Sequence, residues 1–116
     1  MLQLQYCTPG IFFLPTNKGI ELININTIVR VQSISNYSKL CFSDGKTLVV
    51  AKVLMWFEES LPCKQFIRVH RTHLVNKQFI SRYIKGDKIQ LANGDWVEVS
   101  RRKKSSVVQN LYNRAA

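Results

Sequence analysis

Proline and glycine are scarce in this chain, 3 and 5 of 116 residues, and acids are outnumbered by bases, 7 to 17. With so few breakers there is no Pro/Gly/Ser-rich linker, and no repeat or low-complexity stretch is present. Residues 1–116 therefore read as one domain, long enough to bury a core and too short for two. Cysteine is also sparse: Cys7, Cys41 and Cys63 are odd in number and far apart, with no CxxC pair among them. That argues against a disulfide framework or a zinc site and makes them small buried hydrophobes in a reducing compartment. The N-terminus lacks a basic segment, and its longest apolar run, Ile11 to Leu14, is closed by Pro15. A signal peptide and a membrane-spanning helix are not expected, which points to the cytoplasm.

Cations are what the chain has. Its net charge is +10, and the excess is lopsided: residues 1–61 carry five Lys/Arg and four Asp/Glu, residues 62–116 twelve and three. A basic half on a chain that is 46% apolar and mean hydropathy near zero describes a folded protein with a polyanionic partner, either nucleic acid or an anionic membrane surface.

The dominant apolar period is two, interrupted at short intervals by turn residues, as in a mainly β protein of small antiparallel sheets. Ile11–Leu14 and Ile20–Ile23 flank Asn17-Lys18-Gly19 as a hairpin. Ile28 to Ile34 alternates Ile28, Arg30, Gln32 and Ile34 with Val29, Val31 and Ser33. Ser35-Asn36-Tyr37 forms a loop before Lys39–Ser43. Asp44-Gly45 leads into Thr47–Val50, and Asn93-Gly94 joins Lys88–Ala92 to Trp96–Val99; both dipeptides favour two-residue hairpin turns. Two segments read as helices. Lys52–Leu61 sets Val53, Trp56, Phe57 and Leu61 on one face before Pro62, and a C-terminal helix presents Val107, Val108, Leu111 and Tyr112, with Ser100 as its N-cap.

No catalytic constellation emerges. Glu58 and Glu59 are adjacent on a helix and diverge, and neither a glycine-rich phosphate loop nor a nucleophile motif occurs. An enzyme and a cofactor are therefore not expected. His70 and His73, the two histidines, stand at HxxH spacing, but residues three apart on one strand face opposite ways, and apart from Cys63 no Cys, Asp or Glu lies within ten residues of them. No metal is expected, and His70 reads as a structural hydrogen-bonding residue. The basic residues are different. Lys64, Arg68, Arg71, Lys77, Arg82 and Lys85 fall between Pro62 and Gly86 without an acid, and Arg101 to Lys104 are consecutive at a predicted helix start. A helix N-terminus repels cations, so four of them there fit a binding site better than a packing need. Arginine forks match guanine O6/N7, and both Lys and Arg neutralise phosphates.

Phe66-x-Arg68-Val69-His70-Arg71-Thr72-x-Leu74-Val75-Asn76 resembles the central signature of the LytTR-type DNA-binding domain of bacterial transcription regulators. Ile28–Lys39 with Asn36-Tyr37 is similar to that family's first strand–loop–strand. Ile89-x-Leu91-x-Asn93-Gly94 and Val97-x-Val99-Ser100-Arg101-x-x-Lys104 are similar to its closing hairpin and final helix start. The resemblance covers about residues 11–113. It implies a fold of short strands with one central and one C-terminal helix. It also implies a regulator that reads double-stranded DNA with loops in successive major grooves, the duplex bending toward the protein. Carried over, it assigns base contacts to Tyr37, Arg71 and Arg101 and phosphate contacts to Arg68, Thr72, Ser100 and Lys104. Asn36, Lys39, Arg102 and Lys103 are further candidates. About ten residues precede the matched stretch, where the family usually carries a receiver domain. That describes either a free-standing regulator or an excised output domain, with a sensor kinase, a receiver protein or a second copy on repeated sites as further partners. Two rival functions are a single-strand binder of OB type stacking bases on Tyr37, Phe42 and Trp96, and a basic protein-interaction module.

Overall fold

The computed structural model describes residues 7–115. Among the described residues three antiparallel sheets carry the architecture. The first joins β1 (Cys7–Thr8), β2 (Ile11–Thr16) and β3 (Gly19–Asn24). The central sheet draws on β4 (Ile28–Ile34), β5 (Tyr37–Phe42), β6 (Thr47–Val50), β7 (Phe66–His70) and β8 (His73–Asn76), in the order β6-β5-β4-β8-β7. The third holds β9 (Ile80–Ile84), β10 (Lys88–Leu91) and β11 (Trp96–Glu98). Helix α1 (Leu54–Ser60) follows β6, and α2 (Lys104–Ala115) ends the described chain.

The Asp44-Gly45 and Asn93-Gly94 hairpins form where expected but close with three-residue loops rather than two-residue turns: Phe42 N–H donates to Lys46 O and Leu91 N–H to Asp95 O, and only the glycine of each loop has a positive φ. Gly45 and Gly94 adopt φ of 88° and 93°, a region that side-chain-bearing residues avoid, and each donates its N–H back to the preceding strand. Ser35-Asn36 is a two-residue turn rather than part of a three-residue loop, because Tyr37 already pairs with Ile34 and opens β5.

The central sheet is covered on both faces. On one side Phe12, Leu14 and Ile23 of the first sheet, Leu54 and Phe57 from α1 and Leu61 just after it pack on Ile28, Val31, Leu40, Phe66 and Leu74. On the other, Ile89, Leu91 and Val97 of the third sheet, with Val99 and Val107 beside it, pack on Val29, Ile67, Val69 and Val75. A strand buried on both faces cannot show a clean polar/apolar alternation, and β4 shows why. A bulge between Ile28 and Arg30 breaks the expected alternation: Ile28 and Val31 share one core, and Val29 enters the other.

Both helices sit within their expected ranges with shifted faces. Leu54 is buried in α1 and Val53 lies exposed before it; in α2, Val107 is buried while Tyr112 is 74% exposed. Cys41 is buried as expected, whereas Cys63 is exposed because it lies in the turn after Pro62. The Cys7 side chain lies outside the described residues. Among the described residues no helix is long and apolar enough to cross a membrane.

Candidate nucleic-acid interface

Strand order brings three separate turns to one edge of the molecule. The β4–β5 turn at Ser35-Asn36 and the β7–β8 turn at Arg71-Thr72 close neighbouring hairpins, since β4 pairs with β8. Ser33 N–H donates to Thr72 O at 2.9 Å, tying the two turns side by side. Ser100 N–H donates to Val69 O at 3.0 Å, which sets the chain entering α2 against the end of β7. With strands about 4.8 Å apart, the first two turns stand about 10 Å from one another and the third about 7 Å further on. Ser35 adopts φ of 56°, a strained value for a residue other than glycine, at the outermost of the three.

The edge is basic and its side chains differ in freedom. Asn36, Tyr37, Arg71, Arg101, Arg102 and Lys104 are exposed; Lys39, Thr72, Ser100 and Lys103 are partly covered. Tyr37 is 49% exposed, so its ring is not a core residue. Lys104 Nζ meets Asp87 Oδ1 at 3.2 Å, and Tyr83 donates its hydroxyl to the same oxygen at 2.8 Å. The Tyr83 hydrogen bond, then Lys104, hold the Asp87 carboxyl below the usual carboxylate range; burial and Asp87 push the Tyr83 phenol up to about 12. Lys85, exposed in the same β9–β10 turn, joins this edge although its sequence context gave only its place in an acid-free stretch.

Helix α2 starts at Lys104, not just after Ser100. Ser100 O instead accepts from Lys103 N–H at 3.0 Å, so residues 100–103 make a turn that carries three of the four consecutive cations outside the helix. The dipole cost expected of a four-cation helix start falls mainly on Lys104.

Arg68 is placed differently from an ordinary phosphate ligand. Its side chain is 18% exposed, its Nε donates to His70 O at 2.9 Å, and its two terminal nitrogens donate to Arg71 O at 2.6 Å and to Glu58 Oε1 at 2.7 Å. On the other face of β7, His70 Nδ1 accepts from Thr72 N–H at 3.2 Å and lies 2.8 Å from Thr72 Oγ1. His70 thus orients its neighbours as its sequence context suggests.

The HxxH geometry needs correction. The two histidines lie on paired strands across a two-residue turn, so they share a face with ring centroids 5.8 Å apart. Among the described residues no group of three metal-binding side chains accompanies them. His73 has a buried Nδ1 without a partner, and burial, then Arg30 and His70, depress its pKa to about 4.

A family model for the LytTr DNA-binding domain matches residues 18–112. The chain belongs to the LytTR family. This LytTR domain is therefore a DNA-binding domain of the transcription-regulator type; the family is not an enzyme family. Its fold is shared by a solved chain described as the LytTr DNA-binding domain of a methyl-accepting/DNA response regulator from Bacillus cereus. That chain is 24% identical, with a TM-score of 0.74, covering 88% of this chain and 96% of the other. No curated protein matches this sequence significantly. The three signature segments of the LytTR resemblance are the same segments whose turns converge on the basic edge.

Proposed function

We propose that this LytTR domain recognises a specific double-stranded sequence through the turn edge, the whole chain acting as one DNA-binding unit. The observation that carries the reading is the convergence of Tyr37, Arg71 and Arg101, from three distant segments, on adjacent exposed turns. Arg71 stands at the centre of the edge with a free guanidinium fork suited to guanine; Tyr37 and Arg101 flank it. Ser100, Thr72 and Lys104, with Arg102 and Lys103 around them, supply phosphate contacts that set register. Asn36 and Lys39 extend the first turn.

The size of the edge supports a bent duplex. The three turns span roughly 17 Å by strand spacing, short of the 34–36 Å helical repeat that separates major grooves on one face of DNA. Reaching two grooves therefore requires outward-splayed side chains and a duplex curved toward the protein, at a deformation cost of order 1–6 kcal/mol offset by the added contacts. The stacking rival loses support from topology: Tyr37 and Trp96 belong to different sheets, and Phe42 packs against the core.

A competition titration tests the reading. A selected duplex, a random duplex and a single strand are compared for wild type, Arg71→Ala and Arg101→Ala. Loss of one bidentate base contact lowers affinity for the selected duplex by about 1–3 kcal/mol and leaves the random duplex much less affected. Equal losses on both duplexes would place these arginines on phosphates, and preference for the single strand would favour the stacking mode.

A further inference from the structure

The β7–β8 turn is held from both faces of its strand. A two-residue turn normally leaves carbonyls to solvent and lets its tip sway. Here the Arg68 fork takes the carbonyl oxygens of His70 and Arg71 from the α1 side, and the His70 ring takes the Thr72 amide from the opposite side. The opposition follows from a bulge in β7: the register shifts between Arg68 and His70, so that Arg68 pairs with Leu74 and His70 pairs with His73. Glu58, on a helix seated in the larger core, holds the third corner of the guanidinium.

An arginine arranged in this way is ill suited to phosphate. Its charge is already met by a carboxylate at 2.7 Å, and its nitrogens point at the protein. We propose that Arg68, braced by Glu58, is a positioning residue that fixes the aim of the Arg71 side chain and so sets sequence discrimination without touching DNA. The proposal rests on Arg71 reading bases, and it replaces the phosphate role that the resemblance implies for Arg68. Forked geometry is essential to it. A lysine keeps the positive charge, but its single ammonium cannot span two carbonyls and a carboxylate in the same plane.

Arg68→Lys is therefore the informative variant. It should lose about tenfold to hundredfold in affinity for the selected duplex, the range of one good base contact, while random-duplex affinity and its salt slope stay as in wild type. In an Arg71→Ala background the same change should add almost nothing, because both act through one contact. Glu58→Gln keeps an acceptor for the guanidinium and should retain most of the discrimination. Full discrimination in Arg68→Lys, beside a loss in Arg71→Ala, would overturn the positioning role alone. Full discrimination in Arg71→Ala would overturn it together with the base-reading premise. A salt slope for random DNA that falls by about one in Arg68→Gln would show a phosphate contact and overturn the proposal. Should Arg68→Lys fail to fold, the wild-type protein supplies the test. The Arg68 Nε–H resonance should keep its shift on DNA addition while Arg71 signals move, and a comparable movement of both would refute the inference.

Discussion

Asn76 closes the signature segment, yet it sits at the end of β8 away from the turn edge, and its role is worked out most fully by removing it. It is completely buried; Nδ2 donates to Ile28 O at 2.8 Å and Oδ1 accepts from Gln78 N–H at 3.0 Å. The first bond ties β8 to the start of β4, just at its bulge, and the second caps the short 3-10 turn at Lys77–Phe79. In Asn76→Ala the Ile28 carbonyl loses its side-chain donor at a buried residue, a loss of about 1–3 kcal/mol. Gln78 is exposed, so its amide can bind water and the cap loss is at the low end, about 0.5–1 kcal/mol. The total of about 1.5–4 kcal/mol corresponds to a Tm lower by roughly 6–16 °C for a chain of this size. Asn24 provides the matched control: its Oδ1 caps the equivalent 3-10 turn at Ile25–Thr27 through Asn26 N–H at 3.0 Å, but it is exposed. Asn24→Ala should cost only about 0.5–1 kcal/mol. Urea unfolding of both variants measures the difference, with m-values unchanged. A loss below about 1 kcal/mol in Asn76→Ala, or one no larger than in Asn24→Ala, would refute the assignment of its energy to the Ile28 bond.

Three further outcomes are expected. Tyr37→Ala should weaken binding to the selected duplex yet leave stability within about 1 kcal/mol, since the ring is half exposed; a loss of about 3–5 kcal/mol would make it a core residue. Asp87→Asn keeps a residue that tolerates φ of 55° and removes a carboxylate beside Lys104, so affinity for any duplex should rise, most at low salt; unchanged affinity would place this turn off the DNA path. For His73 the native pKa is about 4 against an ordinary 6.5, so between these values the unfolded chain binds the extra proton and stability falls as pH falls. The contribution is whole above about pH 6.5 and declines toward pH 4; in His73→Gln the pH dependence over this window should be shallower, and an identical curve would exclude His73 as its source.

The sequence by itself determined a good deal of this protein. Asp44-Gly45 and Asn93-Gly94 mark where their hairpins reverse because the positive φ each loop needs falls on its glycine, though the three-residue loop length is not written in the dipeptide. The strand Ile28–Ile34 has its observed bounds, and the spacing within Phe66–Asn76 points to the family that the chain belongs to. Tertiary structure decided which way those strands face. Bulges in β4 and β7 depend on the partner strand's register, and they alone send Val29 to the second core and set Arg68 and His70 on opposite sides. Burial of the central sheet on both faces erased the alternation that would have revealed this; at α1 the inward position is Leu54 because Val53 is still extended and precedes the first turn. The edge itself has no local signature: Asn36, Arg71 and Arg101 become neighbours only because β4 pairs with β8 and Ser100 joins Val69, and a pairing between distant strands is written in the packing of the whole chain rather than in any one stretch of it.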